Sequence, residues 1–67
     1  MNLIINGDNR ASDAATLGLL VEELGMRPDR LAIELNREIV PRDRWPQTQL
    51  REGDRLEIVH FVGGGTN

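Results

Sequence analysis

Cysteine is missing from this chain of 67 residues. That removes disulfide staples, thiolate nucleophiles and cysteine-built zinc sites together, and it fits a reducing cytoplasm. Histidine occurs once, at His60, so a nucleophile–base pair has almost nothing to draw on, and Ser12 has no sequence neighbour that would activate it. No H-E-x-x-H stretch or carboxylate ladder suggests a metal, and the seven glycines form neither a G-x-G-x-x-G nor a P-loop pattern. A cationic excess is lacking as well. Eight basic residues face eleven acidic ones, for a net charge of −3. Nucleic acid is therefore not an expected partner, whereas a protein with a basic face is. Lysine is absent: every basic residue is Arg. Long apolar runs are also absent. The longest, Leu17 to Val21, is interrupted by Gly18 and falls far short of the roughly 20 residues that cross a bilayer. No basic segment followed by an apolar stretch opens the chain, so neither membrane insertion nor secretion is expected.

What is present suits a small folding unit. At about half the usual domain length, such a chain buries only about 60% of its unfolded surface, too little for a deep catalytic cleft beside a core. A monomeric carrier, adaptor or binding module is expected rather than an enzyme. Charged residues make up 28% and hydrophobic ones 39%, enough for a core.

Met1 to Asn6 reads as a strand, Gly7-Asp8-Asn9 as a turn, and Arg10-Ala11-Ser12 as a short returning strand. From Thr16 the period changes: Leu17, Leu20, Val21 and Leu24 fall on one helical face, with Thr16 or Asp13 as cap and Gly25 as stop. Glu22 and Glu23 are expected in solvent. Leu31 to Leu35 and Glu38 to Val40 read as strands joined tightly at Asn36-Arg37. Arg42 to Gln49 is expected as a link with a helical turn, pinned to the body by Trp45. Gly53 is expected where a side chain would clash, before a last strand from Arg55 to Val62. That strand is apolar enough to lie mid-sheet beside the first. The order predicts an α+β protein: a β-grasp (ubiquitin-like) mixed sheet of four to five strands with one main helix across it. Residues 1–62 would form this domain and 63–67 a flexible glycine-rich tail.

That tail is the chemical feature. Gly63-Gly64-Gly65 cannot add to a core, but a lead without Cβ atoms can thread a narrow tunnel. Val62 to Gly65, extended, reach about 13–14 Å. Alternation puts Leu56 and Ile58 on the core face and Glu57, Val59 and Phe61 on the other. A Val and a Phe in the open beside the tail read as a docking patch, which Ile4 on the neighbouring strand would extend. His60 and Arg55 flank it.

The segment Glu57-Ile58-Val59-His60-Phe61-Val62-Gly63-Gly64-Gly65 resembles the C-terminus of the ThiS family, the sulfur carriers of thiamin thiazole synthesis. Asn36 through Ile39-Val40-Pro41-Arg42 to Trp45 (N-x-x-I-V-P-R-x-x-W), Gly53-Asp54 and Leu3-Ile4-Ile5-Asn6-Gly7 extend the resemblance over the whole chain. It implies a protein that is a substrate and not a catalyst. An E1-like adenylating enzyme (ThiF) would attach AMP to the glycine carboxylate at the expense of ATP, no cofactor being bound by the carrier itself. A persulfide sulfur would then displace AMP to leave a thiocarboxylate, and thiazole synthase (ThiG) would accept the sulfur. Gly65 and Gly64 would form the reacting end, with Val59, Phe61, Val62, Gly63 and Ile4 binding partners. Because Thr66 and Asn67 follow Gly65, the reactive form is expected only after their loss.

A carrier for molybdopterin, cysteine or tRNA thiolation would share tail and fold; the V-P-R-x-x-W stretch and the short length favour thiamin. A ubiquitin-like interaction domain with an unactivated tail is the reading from another class. Codon bias is the plainest account of the missing lysines. A chemical account also exists: an activated glycyl ester is attacked by amines, and a Lys-free carrier offers only its α-amino group.

Overall fold

A computed structural model describes residues 1–61. In chain order the elements are β1 (Asn2–Ile5), β2 (Asp8–Ala11), α1 (Leu17–Leu24), a 3-10 turn (Pro28–Arg30), β3 (Leu31–Leu35), β4 (Glu38–Ile39), a 3-10 segment (Arg42–Gln47) and β5 (Arg55–His60). The strands form one sheet in the order β2-β1-β5-β3-β4. β1 and β5 run parallel at its centre, while β1–β2, β3–β4 and β3–β5 are antiparallel. A central parallel pair of first and last strands, with a helix crossing one face, is the β-grasp arrangement expected above.

The helix exists for the reasons its sequence suggests. Thr16 sits in extended backbone and its hydroxyl accepts from the Leu19 amide at 3.2 Å, so Thr16 rather than Asp13 is the cap. Gly25 closes the helix at φ 71°, a left-handed conformation that glycine adopts without a Cβ penalty. Leu17, Leu20 and Val21 are buried against Leu3, Ile33, Leu56 and Ile58. Each such burial contributes about 1.5–3 kcal/mol, which outweighs the roughly 1 kcal/mol that Gly18 costs α1.

Gly18 has a reason to be there. A Cβ on it would lie 3.2 Å from the Pro46 Cα and 3.3 Å from the Pro46 nitrogen, so the 3-10 segment packs directly on the helix backbone. Trp45 secures that packing: it is 3% exposed, and its indole N–H donates to the Val40 carbonyl at 2.8 Å. Leu17 and Leu50 extend the attachment, their amides donating to Thr48 and Ala15 carbonyls at 2.8 and 3.0 Å.

Several local expectations need correction. The first turn is Asn6-Gly7, at φ 51° and 87°, not Gly7 to Asn9, and the returning strand begins at Asp8. Two successive positive φ values match the twist of the flanking strands, so a two-residue loop wins over a three-residue one. Gly53 has nothing within 4 Å of a Cβ position; its φ of 84°, not a clash, calls for glycine. Glu23 is not purely solvated, because its carboxylate accepts from the buried Ser12 hydroxyl at 3.0 Å. That hydroxyl accepts in turn from the Ala14 amide at 3.0 Å, so Ser12 ties the chain before α1 to the helix. β4 ends at Ile39 and β5 at His60.

Candidate functional site

β5 is the element from which a reactive tail would leave, and it is held from both sides by asparagine amides. On the β1 side, the Ile4 and Asn6 amides donate to Asp54 and Leu56 carbonyls, both at 2.9 Å. Where β1 turns away, the Asn6 side chain continues the ladder. Its Oδ1 accepts from the Ile58 amide at 2.7 Å and its Nδ2 donates to the Ile58 carbonyl at 3.2 Å. On the β3 side, Asn36 Oδ1 accepts from the Arg55 amide and Asn36 Nδ2 donates to Asp54, both at 3.0 Å. Both asparagines occupy the first left-handed position of a hairpin turn, Asn36 at φ 50°. They fix the register of β5 between its two neighbours.

The other face of the sheet is open. Leu56 and Ile58 are buried under α1, while Val59 and Phe61 are 54% and 55% exposed. Val59 pairs with Ala32, and the Phe61 amide donates to the Arg30 carbonyl at 2.7 Å. Ile39, the most exposed large apolar residue described at 73%, shares this face through its pairing with Glu34. Sequence reading passed over Ile39, although it lies inside the N-x-x-I-V-P-R-x-x-W stretch. Glu34 stands directly opposite Glu57. Like charges in that position repel by roughly 0.2–1 kcal/mol, and the only ion pair among the described residues is Arg27–Asp29 at 3.6 Å. The face therefore offers apolar groups around paired carboxylates.

Not every expected site residue gathers there. Ile4 is half-buried and level with Arg55, four residues before Val59, which is about 13 Å along the strand. Arg55 accompanies Ile4, away from Phe61. His60 is exposed and pairs with Leu31 at the strand's end. Val62, Gly63, Gly64 and Gly65, with Thr66 and Asn67, lie outside the described residues.

On the helix side, an open groove of about 300 Å³ runs between α1 and the Arg42–Gln47 segment, lined by Gly18, Val21, Met26, Pro28, Trp45 and Pro46 with Glu22 and Arg42. No histidine, serine or cysteine lines it. Among the described residues, no three His, Cys, Asp or Glu side chains are grouped to hold a metal, and no helix is long and apolar enough to cross a membrane.

Comparison with known proteins adds the chemistry that these 61 residues alone do not carry. A model described as the ThiS family matches residues 3–65, so the match runs to the third glycine of the tail. The thiazole synthase of Paramagnetospirillum magneticum is 44% identical over 68 residues, a match covering 100% of this chain and 21% of that protein. This chain thus spans about a fifth of the length of the two thiazole synthases it resembles. The sulfur carrier protein ThiS of Bacillus subtilis is 36% identical over 53 residues, covering 79% of this chain and 80% of that one. The crystal structure of a thiamine biosynthesis protein (ThiS) from Geobacter metallireducens superposes with a TM-score of 0.80 at 32% identity, covering 97% of this chain and all of that one. Fold, tail and the breadth of these matches agree: this chain belongs to the ThiS family.

Proposed function

We propose that this chain is a sulfur carrier of thiamin thiazole synthesis, a protein co-substrate and not a catalyst. The observation that carries the reading is the family match over residues 3–65, which takes in the folded body and ends on Gly65. The carboxylate of Gly65, once Thr66 and Asn67 are gone, is the reacting group, and Gly64 leaves room around it. An adenylating enzyme of the ThiF type converts that carboxylate to a mixed anhydride with AMP. Sulfur from a persulfide donor then displaces AMP and leaves the thiocarboxylate. Thiazole synthase (ThiG) takes the sulfur; the occurrence of this segment within chains named thiazole synthase supports that partnership. The reaction belongs in the cytoplasm, where ATP is supplied.

The exposed Val59 and Phe61 support a division of labour. The body stays outside the partner's active site, and the residues beyond Phe61 enter it. Val59 and Phe61 dock, with Val62 and Gly63 following them inward. Ile39 adds apolar area on the same face, and the Glu34–Glu57 pair selects a partner surface carrying a cation. Ile4, some 13 Å from Val59, touches only a partner broad enough to cover both ends of β5.

The test is intact-mass measurement after incubation with ATP, the adenylating enzyme and a sulfur source. A form ending at Gly65 gains about 16 Da, oxygen replaced by sulfur, and the 67-residue form gains nothing. Equal gain by the 67-residue form at its own terminus, or none by the shorter form, overturns the assignment of Gly65. Removing 64–67 abolishes the carrier role, whereas a pure interaction domain keeps its affinity.

A further inference from the structure

We propose that Asn6-Gly7 is a site of spontaneous deamidation, held off in the folded chain by the two hydrogen bonds from the Asn6 amide to Ile58, and that its conversion permanently weakens the clamp on β5. The inference does not draw on the carrier reading; it concerns how long the strand stays clamped.

The chemistry needs only water. The Gly7 backbone nitrogen gives up its proton to solvent and forms a C–N bond to the side-chain carbonyl carbon of Asn6. The bond from that carbon to Nδ2 breaks, and ammonia leaves with the electron pair and a proton. Water then opens the cyclic imide at one of its two carbonyls. One product is an aspartyl residue, the other an isoaspartyl residue whose main chain runs through the former side chain. Either adds one negative charge.

The sequence selects this asparagine. Of the asparagines at 2, 6, 9, 36 and 67, only Asn6 precedes glycine. Glycine brings no Cβ to shield its nitrogen from attack, whereas Asn36, first in an equivalent turn, is followed by Arg37. Asn-Gly is also what a two-residue hairpin turn favours, and Asn6 and Gly7 take the positive φ values of 51° and 87° that such a turn needs. The pair best suited to the turn is thus the pair most open to imide formation.

Packing does not stand in the way. Asn6 is exposed to water, and nothing lies within 4 Å of a Cβ position at Gly7. Hydrogen bonding does. Oδ1 accepts from the Ile58 amide at 2.7 Å and Nδ2 donates to the Ile58 carbonyl at 3.2 Å, so the amide is engaged at both ends with the neighbouring strand. Its carbon reaches the Gly7 nitrogen only after both bonds break. Two bonds of ordinary net strength slow the reaction about 5- to 150-fold.

Conversion removes that guard. Strand pairing between β1 and β5 stops at Ile5 with Leu56, and beyond it the Asn6 side chain carries the contact to Ile58. A carboxylate has no N–H to give the Ile58 carbonyl, so the aspartyl product keeps one bond of the two. The isoaspartyl product lengthens the main chain inside a two-residue turn and misplaces both.

The test incubates the whole chain at mildly alkaline pH, once folded and once in unfolding guanidinium chloride. Mass measurement follows a gain of about 1 Da, and peptide mapping locates it. Asn6 in the unfolded chain converts at least about fivefold faster than in the folded one, and faster than Asn36 beside it. Gly7→Ala slows conversion in the unfolded chain, where the turn imposes no strain. The deamidated chain, separated by its added charge and refolded, unfolds at a lower denaturant concentration than the parent and loses hydrogen-exchange protection at the Ile58 amide. Equal rates in the folded and unfolded chains overturn the guard. An unfolded chain in which Asn6 converts no faster than Asn36, or in which Gly7→Ala changes nothing, overturns the site. A deamidated chain with the parent's denaturation midpoint overturns the consequence for β5. The carrier reading stands or falls separately from all of these.

Discussion

Replacing Asn6 probes the clamp on the strand that leads to the tail. The side-chain amide makes two hydrogen bonds to Ile58, at 2.7 and 3.2 Å, in a partly buried position mid-sheet. Each such bond contributes about 0.5–1.5 kcal/mol net, so Asn6→Gly, which keeps the left-handed backbone comfortable, should cost about 1–3 kcal/mol. Asn6→Ala loses the same bonds and, unlike Gly, keeps a Cβ at φ 51° without the polar side chain that lets Asn occupy that region, a further cost of about 1 kcal/mol. Asn6→Asp keeps the acceptor for the Ile58 amide but turns a carboxylate oxygen toward the Ile58 carbonyl, so its cost falls no lower than that of one lost bond. A chain of this length has about 3–10 kcal/mol to lose, so Asn6→Ala removes a large share. Urea denaturation with an unchanged m-value measures the order Gly above Ala, and hydrogen exchange should show the Ile58 amide losing protection in both. An Asn6→Gly variant within about 0.5 kcal/mol of the parent would refute the clamp.

Further predictions follow from the packing. Gly18→Ala gains about 1 kcal/mol in helix propensity but drives a Cβ to 3.2 Å from the Pro46 backbone; net destabilisation with a loosened Trp45, read by indole fluorescence, is expected. Trp45→Phe removes the bond to the Val40 carbonyl and should cost about 1–3 kcal/mol, with Trp45→Ala costing about 3–5. Val59→Asp and Phe61→Asp lie on the open face, so they should leave the urea midpoint nearly unchanged while slowing adenylation at least tenfold. An unchanged rate in both would remove that face from the docking surface.

Much of this was readable in the linear chain because local rules and tertiary packing agree. The spacing of Leu17, Leu20, Val21 and Leu24 names the buried helical face, and Gly25 its end. The alternation Leu56, Ile58 against Val59, Phe61 separates core from open face. What escaped depends on contacts across the fold. Asn6 in a left-handed turn becomes apparent only once β5 offers the Ile58 peptide to its amide. Gly18 looks like a weak helix residue until Pro46 is laid upon it. Ile39 looks like an ordinary strand residue until its register against Glu34 puts it on the open face. Arg30, rather than Arg55, proves to neighbour Phe61 because β3 begins where β5 ends.

Sulfur transfer itself tests the account most directly. The form ending at Gly65 is loaded with radioactive sulfur, freed of ATP and adenylating enzyme, and mixed with thiazole synthase and its small-molecule substrates. The account predicts that the label leaves the protein for the thiazole product in a single turnover and that the carrier's mass falls back by about 16 Da to that of the carboxylate. Label that stays on the protein, or passes equally well from the 67-residue form, contradicts it.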